Sequence, residues 1–238
     1  MMIDFHSHVL PGIDDGSRNV DESIALLQME AEQGIGHVVA TPHFYPQHHS
    51  PQRFLQKRYE AEQRLREAME KHPGLPKLSI GAEVYYFSGI SESDFLNELT
   101  IDKKRCILLE MPQSVWTDKM FREMENIQVR QGIIPIVAHV DRYISPFRTH
   151  GIPGKLEQLP VLVQANASFF LRSSTRSMAM RMLKKDQIHL LGSDCHNVSS
   201  RPPRLGEAVN QIQQKLGQGI VDRIMDYQYS VLGIPSNL

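Results

Sequence analysis

Short apolar runs alternate with longer amphipathic ones along this chain. Seven of the short runs read as strands: Met2–His6, His37–Thr41, Leu78–Val84, Cys106–Met111, Ile134–His139, Val161–Asn166 and Ile188–Ser193. They are nearly continuous in apolar character, the mark of strands covered on both faces. Between them the pattern is helical. Val20–Gln33 sets Ile24, Leu27 and Ala31 on one stripe and meets Gly34, a residue suited to ending a helix. Ser50–Lys71 is charged enough to be solvated over most of its surface. Asp118–Gln131 and Ser174–Lys185 follow, and Arg204–Tyr227 has room for one helix or two. Strands alternating with helices predict an α/β fold with a parallel sheet.

Six of the apolar runs stop at a residue able to hold a metal. The stops are His6 and His8, His43, Glu83, Glu110, His139, and Asp194 with His196. Alternate residues of an extended chain face one side, so His6 with His8, and Asp194 with His196, can each reach a common ion. The turn-rich segment Leu10-Pro11-Gly12-Ile13-Asp14-Asp15-Gly16 returns carboxylates to the same mouth. Because these ends are spread over the whole chain, closure into a barrel is expected. A barrel gathers strand ends in a ring, whereas an open doubly wound sheet gathers its site at one crevice. The reading is one α/β domain over residues 1–238, with no repeat or linker dividing it. The polar loop 44–52 lies beside the expected site and is a candidate cover for it.

Taking Asp14 as one of the ligands, the set holds five histidines and four carboxylates. That is too many for one ion and suits two or three. Imidazole with carboxylate binds divalent first-row metals, and bridging carboxylates can hold ions about 3.5–4 Å apart. Three dications against four carboxylates leave charge for a hydroxide and a phosphate oxygen. Each piece alone has a plain explanation. Most His-x-His pairs are not ligands, a lone acid after a strand is often a helix cap, and Glu83, Glu110 or His139 alone would read as a paired core residue. The coincidence at six strand ends is what points to metal. His37, His48, His49, His72, His150 and His189 are read as structural or solvated, with His48 and His49 in the loop beside the site.

Composition narrows the function. With 26 basic and 27 acidic residues the chain carries no nucleic-acid footprint, and any substrate phosphate would have to be met by local charge. Two cysteines, Cys106 and Cys195, make no disulfide framework. The start of the chain has no signal-peptide pattern and no run spans a bilayer, so a soluble, cytoplasmic protein without direct membrane insertion is expected.

Asp4-Phe5-His6-Ser7-His8 followed by Leu10-Pro11-Gly12-Ile13-Asp14-Asp15-Gly16 resembles the opening motif of the PHP (polymerase and histidinol phosphatase) superfamily. The Asp-Asp-Gly ending resembles its bacterial tyrosine-phosphatase branch, the CpsB/YwqE-like enzymes of capsular and exopolysaccharide synthesis. Similar landmarks recur to Ser193-Asp194-Cys195-His196-Asn197 and Arg201-Pro202-Pro203, so the resemblance covers nearly the whole chain. It implies a distorted (β/α)7 barrel and three divalent ions, usually Mn2+, with Fe2+ or Zn2+ as other occupants. It implies hydrolysis of phosphotyrosine on a protein, notably the tyrosine-rich tail of a bacterial tyrosine autokinase. Carried over by motif, His6, His8, Glu83 and Asp194 hold one ion. Glu83, Glu110 and His139 hold a second, and Asp14, His43 and His196 a third. Asp14 is taken over Asp15 on motif position. Many PHP members carry histidine where Asp14 and Glu110 stand, a departure that fits the tyrosine-phosphatase branch. The resemblance also implies that Arg142 and Arg201 contact the substrate phosphate, a role suited to the guanidinium fork.

Cys195-His-Asn-Val-Ser-Ser-Arg201 also fits the C-x5-R pattern of thiol-dependent phosphatases. It lacks the glycines that curl backbone amides around phosphate, and alternation turns Cys195 away from the ligands, so a small buried hydrophobe is expected. The resulting reading is phosphomonoester hydrolysis by metal-activated water. Its competitors are a PHP phosphoesterase on a small ester such as histidinol phosphate, a nuclease, and a non-catalytic metal-stabilised scaffold that docks on a kinase.

Overall fold

The computed structural model describes residues 1–145 and 149–235. Strands β1 (Met2–Ser7), β2 (Ile35–Ala40), β3 (His43–Phe44), β4 (Lys77–Ile80), β5 (Glu83–Tyr85), β6 (Cys106–Glu110), β7 (Ile134–Val137), β8 (Leu162–Asn166) and β9 (Leu190–Gly192) are all paired in parallel. The ladders run β1-β2-β4 and β3-β5-β6-β7-β8-β9. The two ladders are one curved surface. β2 and β3 are halves of a strand bent at Thr41-Pro42, and β4 and β5 halves of one bent at Gly81-Ala82. Bonding continues across both bends through Gly81 N to Ala40 O (2.9 Å) and Glu83 N to Pro42 O (3.0 Å). The surface then closes on itself, because Asp194 N donates to His6 O (2.7 Å) and His8 N to Cys195 O (2.9 Å). The expected distorted (β/α)7 barrel is what forms, with the run Leu78–Val84 broken where continuity had been expected. Gly81 sits at the break, where a Cβ would lie 2.8 Å from Ile101 Cγ1.

The helices are α1 (Val20–Glu32), α2 (Pro51–Met69), α3 (Asp118–Gln131), α4 (Ile152–Leu156), α5 (Ala167–Leu171), α6 (Ser173–Lys184), α7 (Leu205–Leu216) and α8 (Gln218–Leu232). Local chemistry sets their ends. Asn19, Ser50 and Thr117 cap α1, α2 and α3 by accepting from the backbone N–H of Glu22, Arg53 and Met120. On the charged α2 the buried residues are Phe54, Ala61 and Leu65, a narrow stripe on an otherwise wet helix. The segment Arg204–Tyr227 divides into two helices at Gly217, whose φ of +87° a side chain would resist. Between β5 and β6 the crossover is not an α-helix but three short 3-10 turns, at Ile90–Glu92, Leu96–Leu99 and Ile101–Lys103.

The barrel interior is filled by Ile3, Phe5, Val39, Leu108, Ile136 and Leu190, all but fully buried. Each such side chain contributes about 1.5–3 kcal/mol over the exposed state. Tyr229 and Leu232 of α8 join that cluster, and Gln228 bonds both backbone groups of Ile3 (N to Oε1 3.1 Å, Nε2 to O 2.6 Å). The end of the barrel at the strand N-termini is thereby plugged, which leaves the opposite rim as the place for a site. A second cluster, with Leu26, Leu27, Val38, Leu109 and Val163, lies between strands and helices.

Candidate metal centre

The side chains that end the strands converge on that open rim. Leu108 points into the barrel, so Glu110, two residues further along β6, faces inward at the mouth by alternation, whereas His43 is reached across the bend at Thr41-Pro42. His6 and His139 do not follow from simple alternation, since Phe5 and Ala138 beside them also face inward. The β1–β2 register shifts between Asp4 and Ser7, and such an irregularity re-aims a side chain. His139 has a left-handed backbone with φ +31°, and Asp194 one with φ +55°. Both sit where non-glycine residues rarely do, a strain typical of functional positions.

Glu83 is the centre of the arrangement. Its Oε2 lies 3.2 Å from His6 Nε2, 3.4 Å from His8 Nε2 and 2.9 Å from His43 Nδ1, while its Oε1 is 2.6 Å from His139 Nε2. Glu110 Oε1 lies 3.7 Å from the same His139 nitrogen. Asp194 Oδ1 is 3.5 Å from both His6 Nε2 and His8 Nε2. Donor atoms within 4.8 Å of one another form three overlapping groups. These are His6, His8 and Asp194; His43, Glu83 and Glu110; and His8, Asp15, His43 and His196. The expected residues therefore meet, with one correction.

Asp14 does not join the donors; Asp15 does. Asp14 is buried behind His8, where its Oδ2 takes the His8 Nδ1 bond (2.8 Å) and the His43 N–H (3.0 Å) and its Oδ1 takes the Gly16 N–H (3.0 Å). Both of its oxygens are committed. Asp15 Oδ1 instead stands 3.4 Å from His43 Nε2 and 3.4 Å from His196 Nε2. Two adjacent acids in a turn point opposite ways, which motif position alone does not decide. Gly16 is needed beside them, since a Cβ there would lie 2.3 Å from His8 O.

Two amides were missed from the sequence. Gln164 Oε1 accepts from His139 N (2.6 Å) and lies 3.3 Å from His6 Nδ1, while Asn166 Nδ2 donates to Asp194 Oδ2 (2.9 Å). Both are buried on β8, on the face shared with the other ligands. Such partners fix the tautomer and direction of a metal-binding imidazole or carboxylate. The signal was present as two polar residues spaced by two at the end of an apolar strand. Gly192 completes this packing, because a Cβ there would fall 2.5 Å from His6 Cβ and 2.9 Å from His6 N.

The electrostatics fit a multivalent cation. Burial raises the Glu83 and Asp194 carboxyls, yet the imidazoles around them, His6 first, hold both well below the ordinary range. Burial lowers the His8 imidazole, and the Asp14 carboxylate more than reverses this. Glu110 is pushed up by burial and by the Glu83 charge. His196 falls to about 4, through burial and the neighbouring His8, which keeps it neutral and able to donate its lone pair. Glu110 Oε2 and His196 Nε2 are buried and make no hydrogen bond, and Glu83 Oε2 and His43 Nδ1, though 2.9 Å apart, are not aligned for one. A buried polar atom left unpaired costs about 1–3 kcal/mol, and cations held among these donors would offset that cost. A set of imidazole nitrogens and carboxylates suits divalent first-row ions.

Arg142 and Arg201 stand at the mouth on either side of Asp194. Arg142 bonds Asp194 Oδ2 and lies 3.7 Å from Glu110 Oε1; Arg201 donates to Asp194 Oδ1 at 3.0 Å. They line a cavity of about 490 Å3 together with Asn166, Ser168 and Ser200. Cys195 is fully buried, its thiol pushed well up by burial and by the Glu30 and Asp4 carboxylates, so it presents no thiolate. In the loop 44–52, His49 accepts the Tyr45 N–H (3.2 Å) and stacks on Phe54.

Comparison with known proteins fits this geometry. The model of the family described as "Capsular polysaccharide synthesis, CpsB/CapC" matches residues 2–230. The chain is 28% identical to tyrosine-protein phosphatase CpsB of Streptococcus agalactiae serotype III, covering 91% of this chain and 92% of that one. It is 29% identical to CpsB of Streptococcus pneumoniae, at 91% of each. Against tyrosine-protein phosphatase YwqE of Bacillus subtilis it is 26% identical, at 91% and 85%. The crystal structures of YwqE and CpsB, described as metal-dependent tyrosine phosphatases, superpose with a TM-score of 0.83 at 21% identity. The match covers 98% of this chain and 96% of that one, and it shows the same fold.

Proposed function

The chain belongs to the CpsB/CapC family, and on that ground we propose that it is a metal-dependent phosphatase hydrolysing phosphotyrosine on a protein. The observation that carries the reading is Glu83, whose two oxygens face four imidazoles at the floor of an arginine-flanked mouth. His6, His8, Glu83 and Asp194 would hold one ion, Glu83, Glu110 and His139 a second, and Asp15, His43 and His196 a third. Divalent ions there supply Lewis-acid charge and lower the pKa of water toward neutrality.

The chain's own groups do the rest. Arg142 and Arg201 reach the mouth with permanently charged forks that match phosphate oxygens and the charge they gain in the transition state. Asp14 and Gln164 hold His8 and His6 with their Nε2 atoms turned to the mouth. Asn166 donates to Asp194 Oδ2 and so orients that carboxylate. Mn2+ is the proposed occupant, and the tyrosine-rich tail of a bacterial tyrosine autokinase in capsular or exopolysaccharide synthesis the proposed substrate. A cytoplasmic location goes with that substrate. Among the described residues no helix is long and apolar enough to cross a membrane.

The test joins elemental analysis of the purified protein to turnover of a phosphotyrosyl peptide, with histidinol phosphate alongside. Chelation is expected to abolish turnover and Mn2+ to restore it, with the peptide preferred. Full activity in a demonstrably metal-free sample would end the proposal.

A further inference from the structure

We propose that Tyr45 and Tyr85 form the subsite that receives the aromatic ring of the scissile ester, so that this side of the mouth selects aryl over alkyl phosphates. The inference rests on the phosphatase reading above and adds to it the residues that recognise the leaving group.

The register places them. β3 and β5 pair His43 with Glu83, and β5 and β6 pair Tyr85 with Glu110. Tyr45 follows His43 by two residues and Tyr85 follows Glu83 by two, so on extended chain each tyrosine shares its donor's face one step nearer the rim. The rings confirm the placement. Tyr45 lies 5.1 Å from the His43 ring and 5.6 Å from the Tyr85 ring, tilted by 48°. These are the centroid separations at which aromatic groups attract. Both residues are half-buried and so keep open surface.

Their hydroxyls set them apart. Tyr86 donates to Glu123, Tyr143 accepts from Met111 N, Tyr227 donates to Asp186 and Tyr229 to Met1 O. Tyr45 and Tyr85 are partly buried too, yet neither hydroxyl bonds another described residue. The division of the mouth fits an aryl phosphate. The cavity over Asp194, lined by Arg142, Arg172 and Arg201, is polar and suits the anion. The Tyr45 ring lies against His43 and Tyr85, and the β5–β6 register sets Tyr85 beside Glu110.

The test is calorimetric binding of benzylphosphonate and methylphosphonate to the full-length, Mn2+-loaded protein, which needs no turnover. The native protein is expected to bind the aryl compound about tenfold more tightly, the scale of one aromatic contact. Tyr45→Ala and Tyr85→Ala bring the two affinities together while methylphosphonate binding and metal content stay as they were. Tyr45→Phe, which keeps the ring, retains the preference. Tyr85→Leu fills the same space without a ring and loses it, which separates recognition from packing. No preference in the native protein, a preference untouched by the alanine variants, or equal weakening of both compounds would overturn the inference. A protein that prefers benzylphosphonate but cannot hydrolyse a phosphotyrosyl peptide would instead refute the phosphatase reading and leave this subsite standing.

Discussion

Asp14→Asn and Asp15→Asn remove neighbouring charges that do different work. The Asp14 side chain is 6% exposed and that of Asp15 65%. Burial alone would raise the Asp14 carboxyl; the His8 imidazole, with the amides of His43 and Gly16, lowers it from 3.8 to about 2. That fall corresponds to about 2.5 kcal/mol, within the range for a hydrogen bond to a charged group. For a chain of this length it is a loss of roughly 5–10 °C in the unfolding midpoint of the metal-free protein. Metal affinity falls as well, by about 10–100-fold, because His8 loses the partner that aims it. Asp15→Asn should leave the metal-free protein within about 0.5 kcal/mol of native, as exposed substitutions do, and lose about one ion from the loaded protein. Thermal unfolding after chelation and elemental analysis after Mn2+ loading read the two effects separately. If Asp14→Asn loses an ion at saturating Mn2+ with unchanged metal-free stability while Asp15→Asn keeps all its metal, the assignment is reversed and the reasoning fails.

The Asp14–His8 pair also makes the metal-free protein pH-dependent. Asp14 is lowered, so its contribution is present above about pH 4 and lost as pH falls through about 2. For His8 burial acts downward but Asp14 wins, raising it well above 6.5, so its contribution is full below 6.5 and lost as pH rises through the raised value. The stability difference between native and Asp14→Asn proteins should therefore peak between about pH 4 and 6.5; a difference that keeps growing from pH 6.5 to 9 would contradict the pairing. Gly192→Ala drives a methyl into backbone and Cβ of His6, and should destabilise by about 1–3 kcal/mol and weaken metal binding, both measurable by chelator competition and denaturant unfolding. Cys195→Ser should retain turnover within a few-fold, since the buried thiol presents no thiolate; abolished turnover with metal content intact would restore the thiol as nucleophile.

The strands were legible because each is apolar on both faces, and the ligands because they break that pattern at the ends. Cys106–Glu110 shows both features, its four apolar residues buried and its acid at the mouth. The amides of β8 were equally visible but read as ordinary polar residues, since only the fold shows that Gln164 reaches His6 and His139. The short 3-10 crossover between β5 and β6 was missed because local periodicity carries little weight in turns of three or four residues. Sequence alone determined the alternation of elements, the donor types and the strand ends that bear them, since these follow from periodicity and side-chain chemistry. Which acid of Asp14-Asp15 faces the mouth, how His6 and His139 turn inward, and where Tyr45 meets Tyr85 were decided only in three dimensions. Each depends on a register shift, a left-handed residue or a contact between distant segments, and none of these has a local signature.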